Sequence, residues 1–230
     1  MYLFEFDAKN KEEFAQKSLN EMKREPSLFY LIRSNSENGN KFRSAVVAAI
    51  CTLLDNCELI QKWQGHLETA KSDSAVRPTS DPLGQFLRLL HYALIVMLES
   101  ETDSQMMIAH IKLANTLLHV TPYAKMLPGL ASLLVHSLVD LLFKQTAVKF
   151  KSKYSVIAAS LINSLVTAFS ATIAQDVIIK HEINSSFISV DHNLINLLID
   201  ADFLAAPTEI AEPALSLLSK LASAFPNSMT

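Results

Sequence analysis

The residues that most often build active sites are scattered along this sequence rather than grouped. Its 230 residues include seven histidines, and no two of them are three or four positions apart, the spacing that brings two imidazoles to one side of a helix. His110 and His119 are nine positions apart, so they point to opposite sides of the helix that they would share. The spacing therefore predicts no metal site.

Nucleophilic and phosphate-binding motifs are also missing from the sequence. No serine lies in a G-x-S-x-G turn, and the close carboxylates, such as Glu99 and Glu101 or Asp200 and Asp202, fall at predicted helix ends and turns, where acids cap helices. The four glycines are too far apart to form a phosphate-binding loop. They are Gly39, Gly65, Gly84 and Gly129. We therefore expect a protein that is not an enzyme and carries no cofactor.

The two cysteines, Cys51 and Cys57, predict free thiols. They are six positions apart in one predicted helix, so their side chains point in different directions. Two cysteines are also too few for a disulfide framework or a four-ligand zinc site. We expect two buried thiols in a reducing compartment, and the acidic start of the chain is unlike a signal peptide. Both observations favour an intracellular protein, in the cytoplasm or the nucleus.

One cluster of positive charge stands out from a mild net charge of −3. No acidic residue lies between Asp140 and Asp176, while four lysines do. These candidate partner-binding residues are Lys144, Lys149, Lys151 and Lys153. The cluster is typical of a solvated helix–helix turn, the interpretation that we favour. The alternative is electrostatic contact with an acidic protein segment or with nucleic-acid phosphate. The cluster contains no arginine and has few aromatic residues near it, which argues against contact with RNA.

The dominant pattern is a series of long apolar segments with helical period, separated by short polar breaks. Pro128 interrupts the fourth segment, where the helix either restarts or kinks. Residues 177–188 are ambiguous between helix and extended chain. The segments are 42–57, 83–99, 102–120, 123–143, 154–175 and 191–204, and a last one begins at Pro207-Thr208.

Two details of these segments predict local structure. Thr102 and Gln105 match a capping box, which would make Thr102 the N-cap of the third segment. Residues 154–175 contain no charge over the length of a membrane span. However, a polar stripe apart from the apolar face favours a packed helix over a membrane span. The stripe consists of Ser160, Asn163, Ser164, Thr167 and Ser170.

The chain divides into two unequal parts. Residues 1–41 predict an N-terminal helix and a lead-in that includes the short apolar segment Ser27 to Arg33 and the polar run 34–40. Residues 42–230 carry the repeated helices. Residues 65–82 combine serine, threonine, aspartate and two prolines without apolar periodicity, so we expect a flexible loop there.

Similar strings recur along the second part, and they set the fold prediction. The strings that begin at Leu113 and Ser160 are 47 residues apart, close to the unit of helix-pair repeats. The string at Ala214 follows at a longer step, and the one at Ala49 precedes at a step lengthened by the predicted loop. We predict an all-α fold, a right-handed α-solenoid of stacked antiparallel helix pairs of the HEAT/armadillo type.

Some of these residues also resemble a known family. The string Phe42-Arg43-x-Ala45 resembles the start of a HEAT-repeat first helix, although only Arg43 matches the polar ladder of such repeats. The strings 89–94, 111–117 and 121–123 are similar to a segment of the HEAT repeat-containing protein 6 family, in which it forms a domain of unknown function. The resemblance covers roughly residues 27–169 and implies no catalytic residue.

A stack of helix pairs presents an extended surface to other chains, so the sequence favours a non-enzymatic scaffold or adaptor. Its protein partners would lie along the second helices of successive pairs. The alternative is a nucleic-acid-associated or transport-type solenoid that uses the lysine cluster. The last predicted helix lacks a partner helix behind it, so we expect this end to continue into further repeats or to pack on another chain. The side chains left half-exposed would be Leu215, Leu218, Leu221 and Phe225.

Overall fold

The computed structural model describes seven parts of the chain, and the regular secondary structure in them is helical. No strand occurs in these parts, which confirms the all-α prediction. The described residues are 39–61, 82–123, 126, 129–147, 152–172, 194–200 and 206–224. The predicted N-terminal helix, nearly all of the predicted loop at 65–82 and the ambiguous residues 177–188 lie outside them.

Seven α-helices form the described part of the chain. Residues 58–61 add one helical turn after the first helix, and the fifth helix runs on into a π-helical turn, Ala168–Thr172. The helices are α1 (Gly39–Asp55), α2 (Pro82–Ser100), α3 (Ser104–Val120), α4 (Leu130–Ala147), α5 (Ser152–Thr167), α6 (Leu194–Leu198) and α7 (Thr208–Ala224).

Most helix positions agree with the periodicity, and the prolines mark several starts. Helix α2 begins at Pro82, where the fixed φ of proline suits the first helical turn. Helix α4 begins at Leu130, directly after Gly129, whose φ of 84° is a left-handed conformation that favours glycine. The chain therefore restarts after Pro128 instead of continuing through it as a kinked helix.

The predicted helix over 191–204 is too long. Helix α6 covers only Leu194–Leu198, and the chain turns at Ile199 and Asp200. The N–H of Asp200 donates to the carbonyl of Leu197 at 3.3 Å, three residues back, so the last turn is tightened and the helix ends there.

Two sets of helices pack side by side. Helix α1 packs on α3, α3 on α5, and α5 on α7; we call these four helices the long row. Helices α2 and α4 pack on each other, and we call them the short row. The rows are joined because α2 packs on α3 and α4 packs on α5. Helix α3 therefore has neighbours on three sides.

The buried faces of the central helices include those that the periodicity predicts. Helix α3 buries the predicted face, Met107, Ile111, Ala114 and Leu118, and further residues around it. The period also predicts that Lys112, Asn115 and His119 point away from the core; Lys112 and His119 are exposed, whereas Asn115 is half-buried. The segment of α5 and the π-helical turn buries the predicted apolar face, Ile157, Leu161, Leu165 and Phe169. Its polar stripe is exposed only in part: Asn163 and Ser170 are exposed, Ser160 and Thr167 are half-buried, and Ser164 is buried. None of the helices in the described ranges has the length and hydropathy that a membrane span needs.

Helix α7 differs in part from the expectation of a half-exposed apolar face. Leu215 is 55% exposed and Leu218 is half-buried, but Leu221 is buried. The buried face of α7 consists of Ile210, Ala214, Leu217 and Leu221, on the helix that packs against α5 and the π-helical turn. Phe225 lies outside the described residues.

The N-cap of α3 is one residue later than the capping box predicts. Asp103 has extended backbone angles, and its Oδ1 accepts hydrogen bonds from the N–H groups of Gln105 and Met106, at 3.0 and 2.9 Å. Thr102 is exposed and precedes the cap. An aspartate at the cap also places negative charge at the positive end of the helix dipole.

We expect Asp103→Ala to lower the free energy of unfolding by about 1 kcal/mol, because two N–H groups of the first turn lose their acceptor. Urea unfolding followed by far-UV circular dichroism measures the change. Asp103→Asn keeps a side-chain oxygen at the cap and serves as the matched control. If Thr102→Ala destabilised the protein more than Asp103→Ala, the cap would be Thr102 after all.

Candidate functional site

A buried ion pair joins α1 to the turn between α2 and α3. Nη2 of Arg43 donates to Oε2 of Glu101 at 2.5 Å, and Nη1 donates to Oδ1 of Asn40 at 3.2 Å. The Arg43 and Glu101 side chains are only 6% and 7% exposed. A charge pair this deep needs good geometry and further hydrogen bonds to offset its lost hydration.

Glu101 supplies those further bonds at the turn. Its Oε1 accepts hydrogen bonds from the backbone N–H groups of Thr102 and Asp103, both at 3.0 Å. One carboxylate therefore fixes the conformation of the α2–α3 turn and holds the guanidinium of Arg43 on α1. The two paired residues are 58 positions apart in the chain, so this contact depends on the tertiary fold.

His110 lies beside this pair without a hydrogen bond. Its ring is fully buried in α3, and neither ring nitrogen has a hydrogen-bond partner in the described part of the structure. Nδ1 is 4.0 Å from Oε2 of Glu101, beyond hydrogen-bonding distance. Burial lowers the pKa of His110 to about 4, with nearby Arg43 adding to the effect and Glu101 opposing it. The imidazole is therefore neutral at neutral pH.

A second buried histidine joins α2 to the chain after α3. Nδ1 of His91 is 2.7 Å from the carbonyl oxygen of Leu87, which can only accept, so Nδ1 carries the proton. Nε2 of His91 then accepts the hydroxyl proton of Tyr123 at 2.7 Å. Burial lowers the pKa of His91 to about 4 and raises the pKa of Tyr123. Both ring nitrogens of His91 are therefore hydrogen-bonded inside the core, one as a donor and the other as an acceptor.

The cysteines do not form a reactive site in this structure. Cys51 and Cys57 are free and half-buried, so the expectation of buried thiols is only partly met. Burial raises the pKa of the Cys51 thiol, an effect that a hydrogen bond with Thr116 partly offsets, and a raised pKa disfavours the reactive thiolate. No group of three histidine, cysteine or acidic residues in the described ranges is arranged to hold a metal ion.

The predicted lysine cluster lies around the connection between α4 and α5. Lys144 is exposed in the last turn of α4, and Lys153 is the second residue of α5. Lys149 and Lys151 fall between the helices, outside the described residues. The cluster thus falls at a helix–helix connection, as predicted, and of its four side chains the structure describes Lys144.

The long row presents a continuous outer face on two packed helices. On α3 the exposed residues recur every seven positions, and along α5 and the π-helical turn they do the same. Because α3 packs against α5 and this turn, the two lines lie side by side. We call the six residues the outer face: Gln105, Lys112 and His119 on α3, Val156 and Asn163 on α5, and Ser170 in the π-helical turn. The sequence pattern predicts the exposure of Lys112, His119, Asn163 and Ser170.

A protein family, described as a domain of unknown function (DUF4042), matches residues 13–176. The chain belongs to the DUF4042 family. The matched range includes residues 27–169, over which the sequence resembles the HEAT repeat-containing protein 6 family, and extends beyond them at both ends. It includes α1 to α5, and with them the Arg43–Glu101 pair, both buried histidines and the outer face. No curated protein and no solved structure matches the chain.

The buried His110 makes the stability of this DUF4042 protein depend on pH. Its pKa of about 4 in the folded state is below the usual 6.5 of the unfolded chain, so the unfolded chain takes up a proton first as the pH falls. The stability that comes from neutral His110 is complete above about pH 6.5 and is lost as the pH falls toward 4.

We expect His110→Leu to be nearly neutral at pH 7.5, because the imidazole has no hydrogen bond to lose. Relative to the natural sequence, the variant gains about 2 kcal/mol of stability between pH 7.5 and pH 5. Urea unfolding at both pH values measures the difference. His110→Gln also cannot titrate, so we expect it to show the same pH effect. Because it keeps a buried polar group, its free energy of unfolding is lower than that of His110→Leu at both pH values. A stability difference that is the same at both pH values would contradict the burial of a neutral imidazole.

Proposed function

We propose that this protein is an intracellular, non-enzymatic scaffold built as a right-handed α-solenoid of the HEAT type, and that protein partners bind along its long row. The observation that carries this proposal is the packing order of the helices. In consecutive pairs, the first helices (α2 and α4) pack on each other, and so do the second helices (α3 and α5). Stacking of equivalent helices is the defining arrangement of solenoids.

The spacing of the helices supports the same proposal. Helix α2 begins at Pro82 and α4 at Leu130, while α3 begins at Ser104 and α5 at Ser152, so both steps are 48 residues. This value is close to the length of helix-pair repeats. An equal step for both members of the pair means that the helix–turn–helix unit is repeated as a whole. It also agrees with the similarity to the HEAT repeat-containing protein 6 family.

The outer face is the surface that such a scaffold offers to a partner. Its exposed residues mix an apolar side chain, a lysine, a histidine and neutral polar groups. Partner surfaces of this mixed character are typical of non-obligate interfaces. The polar groups of Arg43, Glu101 and His91 are buried and hydrogen-bonded inside the fold, whereas those of the outer face can be reached by a second chain.

The test compares two pairs of exposed substitutions that change the charge equally. Gln105→Glu with Asn163→Glu alters the outer face, whereas Gln85→Glu with Ser100→Glu alters exposed positions on α2. Partners are found by crosslinking the full chain in cells and are then purified, and their affinities are measured by isothermal titration calorimetry. We expect the first pair to weaken binding at least about tenfold and the second to leave it within about twofold. Partners that bind both variants equally would contradict the proposal.

A separate experiment tests the alternative function. The exposed Lys144 and the three neighbouring lysines favour contact with phosphate or acidic segments. Fluorescence anisotropy with a single-stranded RNA, at several salt concentrations, measures that contact. For the protein-binding scaffold we expect no specific RNA affinity and no effect of reversing the four lysine charges. Tight binding that weakens with salt and disappears on charge reversal would instead establish the alternative.

A further inference from the structure

Helix α1 has two apolar stripes, and its described neighbours fully bury only one. The covered stripe packs on α3 and contains Val47, Ile50 and Leu54 together with Arg43. The other stripe lies about 100° away around the helix axis. It consists of Phe42, Val46, Ala49 and Leu53, and we call it the second stripe. Val46 is half-buried against the core, whereas Ala49 is exposed, Phe42 is 53% exposed and Leu53 is 69% exposed.

The second stripe of α1 matches in position a stripe that α3 buries. Helices α1 and α3 run parallel, because Arg43 near the start of α1 meets Glu101 before α3, and Cys51 further along meets Thr116 further along α3. Helix α3 packs on α1 and α5, and on α2 of the other row. It has two buried stripes about 100° apart, one with Met107, Ile111, Ala114 and Leu118 and the other one position earlier, with Met106, His110, Leu113 and Leu117. The second stripe of α1 is likewise one position earlier than its covered stripe, so it corresponds to the second buried stripe of α3.

Helix α1 is thus a long-row helix, and none of the described short-row helices is among its main packing neighbours. Helix α3 has α2 as its short-row neighbour, and α5 has α4. In both cases this neighbour is the segment that directly precedes the long-row helix in the chain. The segment that precedes α1 belongs to the same domain, because the family match begins at residue 13.

The preceding chain contains a segment of suitable chemistry and reach. Residues 28–32 are Leu-Phe-Tyr-Leu-Ile, five consecutive apolar or aromatic residues. The six steps from Arg33 to Gly39 span up to about 20 Å, and the second stripe is about 16 Å long. A segment tethered this closely has an effective concentration in the millimolar range, which favours it over a separate chain.

We propose that residues 27–33 lie along the second stripe of α1 and complete the short row at this end. The segment lies outside the described residues. Its position is therefore inferred from the exposed stripe of α1, from the pattern of the two complete helix pairs and from the family match. The proposal does not depend on which partner the outer face binds.

Adjacent alanines of α1 provide a matched test. Ala49 is in the second stripe and Ala48 is on the polar side of the helix, and both are exposed. The photo-crosslinker p-benzoylphenylalanine is introduced at one position or the other in the full chain, and the crosslinked peptides are identified by mass spectrometry. We expect position 49, and not position 48, to crosslink to residues 27–33. Mixing ¹⁴N- and ¹⁵N-labelled chains distinguishes crosslinks within one chain from those between copies.

A second variant checks that the apolar side chains hold the segment. Leu28→Asp with Ile32→Asp should lower the crosslink from position 49 at least about fivefold, whereas Ser27→Asp with Arg33→Asp should retain most of it. Crosslinks from position 49 to another copy, to another part of the chain, or equally from both positions would overturn the proposal, and so would no crosslink at all.

Discussion

The structure depends on α3, which has to satisfy three neighbours at once. Nine of its 17 residues are buried, including Met106, Leu113 and Leu117, and the helices that cover them are α1, α2 and α5. Burial of an aliphatic or methionine side chain stabilises a fold by roughly 1.5–3 kcal/mol, so a helix buried on three sides organises its surroundings. Only a narrow line, Gln105, Lys112 and His119, is left exposed on α3. That line is half of the outer face, so one helix sets both the core and the proposed binding surface.

Polar groups then fix how the neighbours meet α3. Apolar packing tolerates small shifts between helices, whereas a buried charge without its partner costs several kcal/mol. The Arg43–Glu101 pair therefore restricts α1 to positions in which the guanidinium reaches the α2–α3 turn. The neutral His91 restricts the chain after α3 through its buried hydrogen bond with Tyr123. His110 has no hydrogen bond of this kind, and we expect its replacement to be tolerated.

Local patterns in the sequence predict much of the fold, and tertiary contacts account for most of the rest. Aliphatic period alone locates α2, α3 and α7 to within a few residues, because each helix repeats its buried face. The N-cap is missed by one position, since Thr102 and Asp103 are both residue types that cap helices, and the capping box with Gln105 fits only Thr102. In the fold, Glu101 accepts a hydrogen bond from the N–H of each. The Arg43–Glu101 pair and the isolation of His110 are not predictable in this way. Nothing in the residues near Arg43 indicates which carboxylate, 58 positions away, it will meet.

The most direct test of helices stacked in order is whether a substitution that destabilises one end leaves the stability of the other end unchanged. Leu217 of α7 is fully buried, and Leu217→Ala should destabilise α7 by about 2–5 kcal/mol. Hydrogen exchange of the full chain, with Leu215→Ala at an exposed position as the control, reports the response of each helix. We expect faster exchange in α7, the π-helical turn and the adjoining end of α5, with α1 and α2 unchanged. An equal loss of protection in α1 and α2 would show a single closed core and contradict the stacked arrangement.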